Sequence, residues 1–207
     1  MMRQYQYHSE GLTPGETLAF GFHGTGGDER QFVPLLRRLL PGAGIVAPRG
    51  DVSEMGALRF FRRQGEGRYD MDDLRARTRA MAGFVAERAR EAGAGRIVGL
   101  GYSNGANILA SVVFEAPELF DEVVLLHPLI PWTPAPAAVR ARVLITAGRR
   151  DPICPPEATR RLADWFRAQG ADVETLWHPG GHEIAPEEIT AAARFLAPRG
   201  GEDRRSA

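Results

Sequence analysis

At 207 residues, with 43% hydrophobic and 25% charged side chains, the chain has the composition of an ordinary globular protein and enough length to bury a substantial core. Its 26 basic residues balance 26 acidic ones, which gives no support to nucleic acid or an anionic membrane as the main partner. Every basic residue is arginine, so a P-loop lysine, a Schiff-base lysine and a Ser–Lys pair are excluded, and the lone Cys154 excludes an intrachain disulfide and a cysteine zinc site.

The opening residues, MMRQYQYHSEG, lack the apolar core of a signal peptide, and no run approaches membrane-span length. The expectation is a cytoplasmic protein with no stable membrane association. Gln4–His8 reads as an edge strand. Six short apolar segments then read as strands: Thr17–His23, Gly44–Ala47, Arg96–Gly101, Glu122–His127, Arg142–Ala147 and Asp172–Trp177. Most are near-continuous in apolar residues rather than alternating, as suits strands covered on both faces.

Helical patterns lie between them. Met71, Leu74, Thr78, Met81 and Val85 recur at helical spacing behind acidic Asp70, Asp72 and Asp73. Asn104–Glu115 is a second helix, broken before Pro117. Glu157–Gln169 is a third, entered from Pro155-Pro156 and left at Gly170, and Pro186–Leu196 is the last. The alternation predicts one α/β domain over residues 1–198, a doubly wound, mostly parallel sheet with helices on both faces, followed by a mobile polar tail over 199–207. Two segments resist this pattern: the long connection Arg49–Tyr69, and the Pro-rich His127–Ala141. Both follow strand ends, where open α/β sheets bind ligands.

The chemistry concentrates at Gly101-Tyr102-Ser103-Asn104-Gly105, a G-x-S-x-G turn between a strand and a helix. A serine on so tight a corner needs small neighbours two residues away, and gains a hydroxyl held clear of the sheet at a helix N-terminus. A serine nucleophile needs a base, and the base needs a group to hold it. His182, in HPGGHEI, follows the last strand; Asp151, in GRRDPICP, follows the strand before. The order Ser, Asp, His is the one this architecture uses. The glycine-rich FHGTGGDE, residues 22–29, follows the first long strand, and the backbone N–H groups of Thr25 and Asn104 are the expected oxyanion donors.

Competing readings exist for each. Ser103 can serve as a turn residue and Asp151 as a turn cap before Pro152. GLGYSNG also suggests a dinucleotide site, but its spacing is one residue too long and the next strand ends at His127 rather than an acid. Pro179-Gly180-Gly181 forbids the helix that would make His178 and His182 a metal pair, so no metal is expected. His23 is expected to brace the oxyanion loop, His127 to end a strand, and Cys154 to be a packed thiol.

With FHGTGGDE, GYSNGAN, GRRDPICP and HPGGHEI in place, the chain resembles the small α/β-hydrolases of the carboxylesterase and phospholipase group. That group also holds acyl-protein thioesterases and relatives of dienelactone hydrolase. RFFRR (59–63), GRYDMDDL (67–74) and HPLIPW (127–132) look most like the bacterial carboxylesterases linked to hydroquinone resistance. The resemblance implies Ser103 as nucleophile, Asp151 as orienting acid, His182 as base, Thr25 and Asn104 as oxyanion donors, and an antiparallel edge strand. Thr25 departs from it, since many relatives carry a large apolar residue there.

Phe60, Phe61 and Arg59 on the first long loop, and Leu129, Ile130 and Trp132 on the second, are expected to face substrate. The expected activity is cofactor-free hydrolysis of a small-molecule ester with a short-to-medium acyl group, with no large lid domain. Exposed apolar loops leave room for a homodimer. Thioester hydrolysis, lactone hydrolysis and a non-enzymatic binding role on the same scaffold remain alternatives.

Overall fold

Residues 5–198 are described by a computed structural model. The expected tail and Gln4 of the expected edge strand lie outside them. In chain order the elements are β1 (Tyr7–Glu10), β2 (Thr17–Phe22), α1 (Val33–Leu39), β3 (Gly44–Pro48), β4 (Val52–Glu54), β5 (Ala57–Arg59), β6 (Arg63–Gly65), β7 (Arg68–Tyr69), α2 (Met71–Ala92), β8 (Arg96–Tyr102), α3 (Asn104–Glu115), β9 (Glu122–Leu126), β10 (Arg142–Gly148), α4 (Pro156–Ala168), β11 (Asp172–His178) and α5 (Pro186–Leu196).

Seven strands form the central sheet in the order β1-β3-β2-β8-β9-β10-β11. All neighbours pair parallel except β1, which runs antiparallel along β3 with Tyr7 opposite Pro48 and Glu10 opposite Ile45. The five inner strands are apolar because both faces are covered. On β9, Val123 and Leu125 enter one core while Val124 and Leu126 enter the other. The first core includes side chains of α2, α3 and α4, and the second those of α1 and α5. Two-residue alternation thus sends successive apolar side chains to opposite layers. This is the doubly wound α/β-hydrolase architecture, with no large additional domain among the described residues.

From β2 the chain winds outward to β3 and then returns to β8 on the other side. The carboxyl ends of β2 and β8 therefore flank the point where the winding reverses, which is where such sheets leave a crevice. Helix α3 sits close over β8 because β8 carries glycines: a Cβ on Gly99 would stand 2.8 Å from a Leu109 methyl. Helix α2 begins where the sequence places it, with the Asp70 carboxylate accepting the Asp73 N–H at 3.0 Å, and ends at Gly93, whose φ of 59° needs no Cβ penalty.

Two features go beyond the sequence pattern. Helix α1 is seven residues long and buries Val33, Leu36 and Leu39. The Arg49–Tyr69 connection folds into two small antiparallel pairs, β4 with β5 and β6 with β7. The 127–141 stretch is irregular, as its prolines predict. No helix among the described residues is long and apolar enough to cross a membrane.

Candidate active site

The turn after β8 carries a strained residue. Ser103 has φ 52° and ψ −116°, a conformation that L-residues avoid and that costs about 1–3 kcal/mol unless its surroundings enforce it. They do so by hydrogen bonding and close packing. The Ser103 N–H donates to the Leu126 carbonyl at 2.9 Å, and its own carbonyl accepts the Asn107 N–H at 2.9 Å. A Cβ on Gly101 would meet the Gly105 carbonyl at 2.6 Å. Both flanking glycines are therefore steric requirements of the turn.

Three side chains converge at that corner. Ser103 Oγ lies 2.9 Å from His182 Nε2, and His182 Nδ1 lies 2.7 Å from Asp151 Oδ2. A ring nitrogen facing a carboxylate carries the proton, so Nδ1 donates to Asp151 and Nε2 is left to accept the serine proton. Asp151 is buried, and its Oδ1 accepts the N–H groups of Ile153 at 2.8 Å and Cys154 at 2.9 Å. Burial would raise its pKa, but hydrogen bonds from His127, His182 and these amides hold it well below the usual carboxylate range. The loop bearing His182 is pressed onto the loop bearing Asp151: a Cβ on Gly148 would stand 1.9 Å from the Gly181 carbonyl. Arg150 N–H donates to Gly180 O at 3.0 Å, and Tyr102 Oη–H to His182 O at 2.8 Å.

Thr25, Asn104 and Ser103 line one cavity of about 230 Å³, and among the described residues neither the Thr25 nor the Asn104 N–H is engaged within the fold. The β5 region clamps both. Arg59 Nη1 donates to Thr25 Oγ1 at 2.7 Å, Gly26 N–H to Leu58 O at 2.9 Å, and Phe60 N–H to Asn104 Oδ1 at 2.8 Å. His23 braces the same loop as expected, its Nδ1 on the Gly24 carbonyl at 2.7 Å and its Nε2 accepting the Gly50 N–H at 2.8 Å. Burial pushes the His23 pKa down, in keeping with a neutral ring.

The remaining expected contacts divide. Leu129 lines the cavity, its N–H donating to Asn107 Oδ1 at 2.7 Å and its carbonyl accepting the Tyr69 hydroxyl at 2.9 Å. Phe60 and Phe61 are instead fully buried: Phe60 packs on Phe22 and His23, Phe61 on Tyr69. Burying a phenylalanine is worth about 1.5–3 kcal/mol, so the hairpin turns both rings inward and presents Arg59 and Arg63 to the cavity. Ile130 and Trp132 border a separate crevice beside α4, where the Trp165 indole N–H donates to Pro134 O at 3.1 Å.

Sequence reasoning missed Arg63, Glu66, Tyr69, Asn107 and Ile153 as cavity residues, and it missed the reach of His127. Arg63 pairs with Glu54 at 3.0 Å and Glu66 at 2.5 Å, so the mouth carries both signs of charge. Cys154 also lines the cavity, but its Sγ donates to the His127 carbonyl at 3.3 Å and burial pushes its thiol pKa far up. It is a packed thiol, as expected.

Comparison with known proteins decides the family. Residues 60–190 match the model of the dienelactone hydrolase family. The chain belongs to that family. This dienelactone hydrolase family member is 38% identical over 177 residues to the putative hydrolase MhqD of Bacillus subtilis, an alignment spanning 84% of this chain and 88% of MhqD. Among solved structures, it shares 55% identity and a TM-score of 0.91 with Atu2452 of Agrobacterium tumefaciens, a protein of unknown function, over 93% of this chain and 96% of that one. A Bacillus cereus carboxylesterase superposes with a TM-score of 0.88 at 34% identity, over 93% of both chains. The chain is thus a hydrolase of the α/β-hydrolase fold.

Proposed function

We propose that this protein is a serine carboxylic ester hydrolase that works through an acyl-enzyme. The observation that carries the reading is the chain of contacts at the turn: Ser103 Oγ to His182 Nε2 at 2.9 Å, and His182 Nδ1 to Asp151 at 2.7 Å. Ser103 attacks the ester carbonyl carbon while His182 takes the hydroxyl proton. Asp151 holds the imidazole tautomer and stabilises the imidazolium that forms. The tetrahedral oxyanion rests on the Thr25 and Asn104 N–H groups. His182 then protonates the departing alkoxide. Water, deprotonated by the same imidazole, releases the acid and restores the serine. The scheme draws on no cofactor.

A cavity of about 230 Å³ bounded by two short hairpins suits a small ester with a short-to-medium acyl group. The similarity to a carboxylesterase supports the ester reading, and the family match supports a lactone as a second substrate form, since a lactone is an internal ester. Side-by-side rates on an aryl ester and an unsaturated lactone separate the two. The test of the whole reading is Ser103→Ala, which is expected to lower ester turnover by on the order of 10⁶, as in a comparable triad. Near-normal turnover by this variant overturns it.

A further inference from the structure

Behind Asp151 lies a second imidazole that the hydrolysis scheme does not use. His127 is fully buried, and its Nδ1 is 2.9 Å from Asp151 Oδ2, the oxygen that also faces His182. Its Nε2 is 3.0 Å from Oε1 and 3.3 Å from Oε2 of Glu188, which is fully buried on α5. A neutral imidazole would turn a lone pair toward one of these carboxylates, so the arrangement calls for a proton on each nitrogen. His127 also sits at φ 51°, a left-handed conformation uncommon outside glycine, and is held there by its N–H on Thr146 O at 3.0 Å.

We propose that His127 and Glu188 are positioning residues for Asp151: a buried imidazolium clasped between two carboxylates, which fixes the carboxylate toward His182 and sets the charge that His182 meets. The inference rests on the reading of Ser103, His182 and Asp151 given above.

The other groups around His127 agree. His178, at the end of β11, has its Nδ1 accepting the Gly180 N–H at 3.1 Å, which places its own proton on Nε2. That Nε2 is 3.4 Å from Glu188 Oε2 and 3.5 Å from His127 Nε2. The cluster His127, His178 and Glu188 has the spacing of a cation site; under this proposal the two nitrogens that would ligate carry protons facing Glu188 and hold no cation. From β8, the Tyr102 ring lies 6.0 Å away edge-on, and from the loop after β10 Cys154 Sγ touches the His127 carbonyl. Glu188 is anchored independently, accepting the Ala185 N–H at 2.6 Å at the start of α5. Burial opposes the charge on His127, but its two carboxylate partners hold its pKa up at about 9.

The charges then sum in a useful way. Asp151, His127 and Glu188 carry one net negative charge at rest. When His182 takes the serine proton, the four groups sum to zero. Without Glu188, His182 would face a neutral pair; without His127, it would face Asp151 with no competing cation, its ring centroid now being 5.2 Å from that of His127.

The test is the pH profile of kcat/KM on an aryl ester for Glu188→Gln and His127→Gln, with melting temperatures alongside. Glu188→Gln is expected to move the acid limb to lower pH, and His127→Gln to higher pH, each by on the order of one pH unit. A purely structural role would lower melting temperatures and leave the limb in place, and that result overturns the proposal. So do shifts in the same direction, or a stoichiometric divalent metal in the purified enzyme. Should a variant fail to fold, ¹⁵N-histidine NMR of the unaltered protein decides: His127 is expected to be protonated on both nitrogens at neutral pH, and a neutral His127 overturns the proposal. If instead Ser103→Ala stays active, it is the underlying triad reading that fails.

Discussion

Gly105 abuts the Phe22 carbonyl: a Cβ on Gly105 would stand 2.2 Å from that oxygen and 2.4 Å from the carbonyl of His23. This contact locks the serine turn against the end of β2, so that the loop bearing Thr25 and the helix bearing Asn104 keep a fixed distance. Gly105→Ala must push backbone against backbone, where no side chain can yield. It is expected to destabilise the fold by roughly 1–3 kcal/mol or more and to lower ester turnover. Chemical denaturation with parallel rate measurements checks this; a wild-type midpoint and rate would contradict it.

Arg59 acts on the same loop from the other side. It is buried, and its guanidinium donates to Thr25 Oγ1 at 2.7 Å and to the Phe61 carbonyl at 3.3 Å. Arg59→Met keeps an unbranched, apolar stem and removes both bonds. If Thr25 donates to the oxyanion as proposed, loosening it by a fraction of an ångström is expected to cost roughly 10–100-fold in kcat. An unchanged kcat would show that the Thr25 loop does not depend on this contact.

The Asp151 and His127 contributions to stability are both complete in a mildly acidic window and fall away on opposite sides of it. Asp151 is held below the usual carboxylate range, so the unfolded chain binds a proton there that the native protein does not. That contribution is present above an ordinary pKa of about 4 and is lost as pH falls below it. His127 has the opposite sign. Its pKa is held at about 9 against an ordinary 6.5, so its contribution is complete below pH 6.5 and is lost as pH rises through 9. Melting temperature across pH checks both limbs, and His127→Gln should flatten the alkaline one. An alkaline limb unchanged in that variant would contradict the assignment.

Cys154 should be silent toward alkylation. Its side chain is buried and burial holds the thiol protonated far above neutral pH, so little thiolate is available. Iodoacetamide at pH 8 is expected to label the unfolded chain and not the native one. Rapid labelling of the native protein would contradict the packing described.

The frame and the meeting of Ser103, Asp151 and His182 were legible because their signals are local. Strands covered on both faces read as apolar runs, and the six parallel strands fall within a residue or so of where the sequence places them. Helices α3 and α5 have the expected bounds, since a strained serine turn opens one and Pro186 the other. The rest depends on contacts remote in sequence. Strands β4 to β7 are two or three residues long, too short to show a period. In RFFRR the question was which side chains turn inward, and the cores offered by Phe22, His23 and Tyr69 decided it. His127 looks like a residue closing a strand. Its partners Asp151 and Glu188 lie 24 and 61 residues away, and no spacing rule links them.

The nucleophile itself can be read directly by labelling with a fluorophosphonate and locating the adduct by peptide mass. The account predicts one adduct, on Ser103, lost in Ser103→Ala and much slowed in His182→Ala. An adduct on another residue, or none on a folded protein that hydrolyses esters, would contradict it.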